Sequence, residues 1–123
     1  MKIKIAPSPN FEKKKRPKSS IKLIVIHYTG MQSGRESLAR LRSTKFKVSS
    51  HFLVSEAGNV YKLVDENKAA WHAGISYWGK YKNINKNSIG IELVNKGHRH
   101  GYKSFKKKQI SSLIRICNLL KKK

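Results

Sequence analysis

The sequence predicts an α/β domain, and three observations point there. A run of branched apolar residues, Ile21 to His27, stops at a histidine; a second apolar run, Ser88 to Val94, carries one carboxylate; and Phe105 to Leu120 repeats its apolar residues at helical spacing. The chain has 123 residues, 38% of them hydrophobic, which supplies one modest core and not two.

Residues 1–20 combine Pro7, Pro9 and Pro17 with serine and lysine, so they read as a basic, flexible N-terminal arm ahead of a domain spanning 21–123. Ile21 to His27 is a buried strand that sets an imidazole at its end. Arg35 to Arg42 forms a short helix starting near Ser33 or Gly34, with Leu38 and Leu41 on one face. His51 to Ser55 and Val60 to Val64 flank Glu56-Ala57-Gly58-Asn59, a turn sequence, and pair as a hairpin. Ala70 to Asn87, rich in Trp, Tyr, Gly and Asn, reads as a long functional loop. In Ser88 to Val94, alternation puts Ile89, Ile91 and Leu93 on one face and Gly90, Glu92 and Val94 on the other, so Glu92 meets either solvent or a pocket. Ser104 caps the last helix, whose Ile110, Leu113, Ile114 and Cys117 form its apolar stripe.

Twenty-eight Lys and Arg against six Asp and Glu give a net charge of +22, which favours anionic partners. The terminal lysine clusters lack arginine forks and interleaved aromatics, so charge alone makes no specific nucleic-acid site. The single cysteine, Cys117, excludes an intramolecular disulfide and reads as a small core residue. No continuous apolar run reads as a secretory signal or membrane span, which places the expected protein in the cytoplasm.

Four segments carry more than fold: Ile24-Val25-Ile26-His27-Tyr28-Thr29-Gly30, Val48 to Val54 with Gly58 to Tyr61, Ala70-Trp71-His72-Ala73-Gly74, and Asn87 to Asn95. In this order and spacing they resemble the zinc-dependent N-acetylmuramoyl-L-alanine amidases of the type 2 family, which includes cytoplasmic anhydro-muropeptide amidases, phage amidases and peptidoglycan recognition proteins. The resemblance spans about residues 21–120. It implies a mixed central β-sheet with packed helices, a zinc ion in a groove, and peptidoglycan fragments or muropeptides as partners. The implied reaction is hydrolysis of the amide between N-acetylmuramic acid and L-alanine.

Matched residue by residue, His27 takes the place of the first zinc ligand and Glu92 that of the carboxylate activating the metal-bound water. Trp71 and His72 match a substrate-groove segment, Asn87 the loop before the glutamate strand, and His51 a histidine near the groove. The residue types suit the chemistry: zinc lowers the pKa of bound water to about 7 and polarises the carbonyl, while a nearby carboxylate moves protons.

The resemblance also implies a C-terminal part missing. The family's remaining two zinc ligands follow the long helix, where this chain ends; after Glu92 it has no Asp or Glu, and its later histidines are His98 and His100. Three other readings stay open: a non-catalytic peptidoglycan- or muropeptide-binding module, a remnant completed by a separate C-terminal fragment, and a basic nucleic-acid-binding protein.

Overall fold

The computed structural model describes residues 2–74, 76, 78–97, 100–101 and 103–123. In chain order the regular elements are β1 (Ile3–Ile5), β2 (Leu23–Tyr28), α1 (Gly34–Arg42), β3 (Phe52–Val54), β4 (Val60–Lys62), α2 (Ile84–Asn87), β5 (Ser88–Leu93) and α3 (Lys107–Lys121). The strands form one sheet in the order β1-β4-β3-β5-β2. Only the β3–β4 hairpin is antiparallel; β1 runs parallel to β4, and β5 runs parallel to both β3 and β2, so the sheet is mixed as expected.

Two cores sandwich the sheet. On one face Phe52, Val54, Val60, Ile89, Ile91 and Leu93 pack with Leu113 and Ile116 of α3. On the other, Leu53, Val94, Leu63, Val64 and Ala70 pack with Leu41 of α1. Strand alternation therefore buries Ile89, Ile91 and Leu93 under α3 and leaves Gly90 and Glu92 on the α1 side.

Ser33 starts α1 as its N-cap, its hydroxyl accepting from the Glu36 N–H at 3.1 Å. Gly58, in the hairpin turn at φ +88°, has no room for a side chain, since a Cβ would lie 2.8 Å from the Lys108 carbonyl oxygen of α3.

Three expectations need correction. The first 20 residues are not a free arm: β1 is a sheet edge, and the Ala6, Ser8, Glu12 and Arg16 N–H groups donate to the Lys62, Leu63, Ala69 and Asn67 carbonyls. Pro7 and Pro9 alternate with the donors Ala6 and Ser8, at places where an edge segment needs no N–H. The guanidinium of Arg16 closes the join, donating to the carbonyls of Glu66, Asn85 and Lys86 at 2.9–3.0 Å.

The last helix starts at Lys107 without a side-chain cap, rather than behind Ser104. Its register is set by a polar residue that an apolar pattern overlooks: Gln109 is fully buried and donates to the Val54 and Val94 carbonyls at the ends of β3 and β5, at 3.1 and 2.9 Å. With Gln109 inward, Leu113 and Ile116 follow it into the core, and Ile114 is left 54% exposed.

The segment expected as one long loop up to Asn87 ends instead in α2, whose N-cap Asn83 accepts from the Lys86 N–H through its side chain. Among the described residues no helix is long and apolar enough to cross a membrane.

Candidate active site

His27 and Glu92 arrive together because their strands do. β2 and β5 pair residue for residue from Leu23 with Ser88 to Tyr28 with Leu93, which puts His27 opposite Glu92. Glu92 also pairs with Leu53 of β3, whose side chain belongs to the α1-side core. The carboxylate is thus flanked by apolar packing. Burial pushes its pKa up to about 8, which leaves it largely protonated at neutral pH.

Glu92 lines a cavity of about 120 Å³ together with Thr29, Met31, Arg40, Trp71 and His72. A cavity of about 610 Å³ lies on the opposite face, against Ile24, Ile89 and Leu120, away from these groups. Size does not locate the chemistry here; the convergence of a carboxyl, two imidazoles and a guanidinium does.

The Trp71–Gly74 segment is held from two sides. Ser49 accepts from the Trp71 N–H at 2.9 Å, and Asn85 Oδ1 accepts from the His72 and Ala73 N–H groups at 3.2 and 2.9 Å. His72 then lies flat on β5 over Gly90, where a Cβ would come within 2.4 Å of its ring. Its Nδ1 sits 3.1 Å from Nε2 of His27 and its Nε2 2.8 Å from the Ser88 hydroxyl. Burial, with His27 and His51 nearby, lowers the His72 pKa to about 3, so this imidazole is neutral; burial also lowers that of His27.

His51 is placed differently from its expected groove position. It is fully buried; its Nδ1 accepts from the Gly90 N–H at 3.0 Å and its Nε2 donates to the Lys68 carbonyl at 2.8 Å. Both ring nitrogens are spent on backbone, so it braces the strand beneath the groove and has nothing left for a substrate. Arg16 Nη2, 3.2 Å from Nε2, faces an N–H there and opposes protonation.

Asn87 likewise serves the scaffold. Its Nδ2 donates to the Ser20 carbonyl at 2.9 Å, and it lines a separate cavity with Lys14, Lys15 and Lys86. Of the aromatic cluster in the 70–87 segment, Trp71 lines the Glu92 cavity, whereas Trp78 is 71% exposed and pairs with Tyr81. Tyr77 and His98 lie outside the described residues. His100 is exposed, with Gln32 as its neighbour at 3.5 Å.

Arg40, Asn85 and Ser88 were not singled out from sequence. Arg40 reaches the cavity from a helix distant in sequence, which no local pattern reveals; Asn85 and Ser88 flank the glutamate strand but look like ordinary turn residues.

Among the described residues no group of three His, Cys, Asp or Glu side chains could hold a metal ion. A catalytic zinc takes three protein ligands. His27 offers one nitrogen, so the described donor set does not fit a complete zinc site.

Comparison with known proteins places this arrangement. The family model described as N-acetylmuramoyl-L-alanine amidase matches residues 17–123. The chain is 41% identical over 109 residues to the N-acetylmuramoyl-L-alanine amidase AmiD of Escherichia coli K12, covering 79% of this chain and 38% of that protein. It is 30% identical over 132 residues to the 1,6-anhydro-N-acetylmuramyl-L-alanine amidase AmpD of Haemophilus influenzae, covering 94% of this chain and 69% of that protein. Among solved structures, AmpD superposes with a TM-score of 0.77 at 25% identity, covering 96% of this chain and 73% of that one. The complex of E. coli AmiD with its substrate anhydro-N-acetylmuramic acid-L-Ala-D-gamma-Glu-L-Lys superposes with a TM-score of 0.71 at 32% identity, covering 89% and 50%. The chain thus spans well under half of AmiD and about two thirds of AmpD. The match over residues 17–123 takes in every strand of the sheet but β1, together with the His27–Glu92 pair, and on it the chain belongs to the N-acetylmuramoyl-L-alanine amidase family.

Proposed function

We propose that this chain carries the substrate-facing groups of an amidase that hydrolyses the amide between N-acetylmuramic acid and L-alanine in muropeptides. The observation that carries the reading is Glu92: a carboxyl opposite His27, lining a small cavity with Trp71 and Arg40, with a pKa near 8. A proton carrier works best with a pKa close to the working pH, because it can then both take and return a proton. In its ionised form Glu92 takes a proton from the attacking water; the water oxygen bonds to the carbonyl carbon. The amide C–N bond then breaks, and the same carboxyl returns the proton to the leaving nitrogen of L-alanine.

Arg40 supplies a cation to the cavity that Glu92 shares with Trp71, which suits a peptide stem bearing carboxylates. Trp71 offers an aromatic face to sugar or peptide. The substrate class is supported by AmiD, whose solved complex contains an anhydro-muramyl tripeptide. Zinc enters the reading through His27, the described residue that would hold it, and the proton steps rest on Glu92.

The incomplete donor set favours a second reading, a module that binds muropeptides without cleaving them. One experiment separates the two. The chain is incubated with anhydro-N-acetylmuramyl tripeptide, with calorimetry for binding and release of free peptide amine for cleavage, beside Glu92→Gln. Cleavage lost in the variant with binding kept supports the amidase; binding without cleavage supports the module; absence of binding overturns both.

A further inference from the structure

A chain of hydrogen bonds runs from the start of α2 through β5 to β2, and its direction is fixed at one end. The Ser88 side chain is fully buried, and its oxygen lies 2.6 Å from the Ile84 carbonyl and 2.8 Å from His72 Nε2. A hydroxyl has one proton to give. A carbonyl oxygen has none, so at 2.6 Å the Ser88 proton must point to Ile84. The hydroxyl can therefore only accept from His72, which requires a hydrogen on His72 Nε2. The neutral His72 ring then has its lone pair on Nδ1. That lone pair faces His27 Nε2 at 3.1 Å, so Nε2 of His27 must carry the hydrogen.

We propose that Ser88 is a positioning residue which, through His72, holds His27 in the tautomer protonated at Nε2 and leaves the Nδ1 lone pair of His27 as the ring's free electron pair. His27 thereby meets an incoming cation or proton donor with a nitrogen that never needs to shed a hydrogen first. The same bonds fix the ring's rotation, since Nε2 is tied to His72. Gly90 makes this possible by letting the His72 ring lie against the strand. The importance of that lone pair for catalysis rests on the amidase reading, whereas the tautomer assignment rests on the hydrogen-bond geometry of a neutral His72 ring.

The test reads the nitrogens directly. Long-range proton–nitrogen correlation spectra of the histidine rings, taken at mildly alkaline pH on the full chain, identify which nitrogen of each neutral ring is protonated. In the wild type, His27 and His72 should both show protonated Nε2 and unprotonated Nδ1. In Ser88→Ala, Nε2 of His72 loses its acceptor, and the bond to His27 should reverse. His72 Nδ1 then donates, and the major species has His27 protonated at Nδ1. Ser88→Thr, which keeps the hydroxyl, should retain the wild-type pattern.

The fold control is His51, whose ring nitrogens meet Gly90, Lys68 and Arg16 but not Ser88, and which should read the same in all three proteins. A wild-type His27 protonated at Nδ1 overturns the proposal, and so does a Ser88→Ala spectrum identical to wild type with His51 intact. Neither result bears on the cleavage assay, so the amidase reading stands or falls separately.

Discussion

His27 and Glu92 face each other across neighbouring parallel strands, one at the end of β2 and one in β5, on the side of the sheet away from α3. The pairing is a property of strand register. A slip of β5 by one residue against β2 would turn Glu92 into the α3 core and leave His27 without it.

Glu92→Gln should raise stability more at high pH than at low pH. The folded pKa of Glu92, about 8, lies above its ordinary value of 4.5, so the native state binds a proton that the unfolded chain has already released in that window. The stability contributed by the protonated form is complete below pH 4.5 and is lost as pH rises through about 8. Urea unfolding of both proteins across this range should show a gap that widens with pH and then levels off.

His51 should make the protein labile in acid. Its pKa is lowered to about 4 from 6.5, chiefly by burial, so the unfolded chain binds the proton first as pH falls. Stability is full above pH 6.5 and declines as pH drops towards 4. His51→Ala should abolish that part of the acid limb while costing roughly 2–5 kcal/mol at neutral pH, because it leaves a buried N–H and a buried carbonyl unpaired. Unfolding midpoints against pH measure both effects.

Gly90→Ala should disconnect His72 from His27. The added carbon would meet the His72 ring at 2.4 Å with β5 fixed behind it, so the ring must leave its place. The expected cost is about 1–3 kcal/mol, typical of an overpacked site. Chemical unfolding gives the loss, and histidine ring spectra show the broken contact.

Arg16→Ala should loosen the N-terminal segment from the domain. The guanidinium is bonded to three carbonyls on two separate segments, and removing it should cost about 2–4 kcal/mol. Arg16→Lys should recover little of this, since an ammonium lacks the planar fork. Amide hydrogen exchange at Ala6 and Ser8, whose N–H groups bond to Lys62 and Leu63, reports the release.

Arg40→Ala should weaken binding of an anionic muropeptide about tenfold, with the wild-type affinity falling as salt is added. Calorimetry at two salt concentrations measures it.

What the sequence revealed was periodic or punctuated. The strands around His27 and Glu92, the Ser33-capped helix and the hairpin about Gly58 each follow from a local pattern that the structure keeps. What it hid was tertiary. Gln109 sits in the core because two strand-end carbonyls satisfy it, and an apolar count passes over a buried amide. Prolines and lysines disguised β1, because composition cannot show that Arg16 has three carbonyls waiting. The family resemblance marked His51 and Asn87 near the groove, yet only coordinates show their polar atoms turned to backbone partners.

The most direct test of Glu92 as the proton carrier is a pH titration of its side-chain carboxyl by carbon NMR, assigned by its loss in Glu92→Gln. The account predicts a midpoint near 8. A midpoint near the ordinary 4.5 would mean a solvated carboxylate, and would contradict the burial of Glu92 on which the proposed function depends.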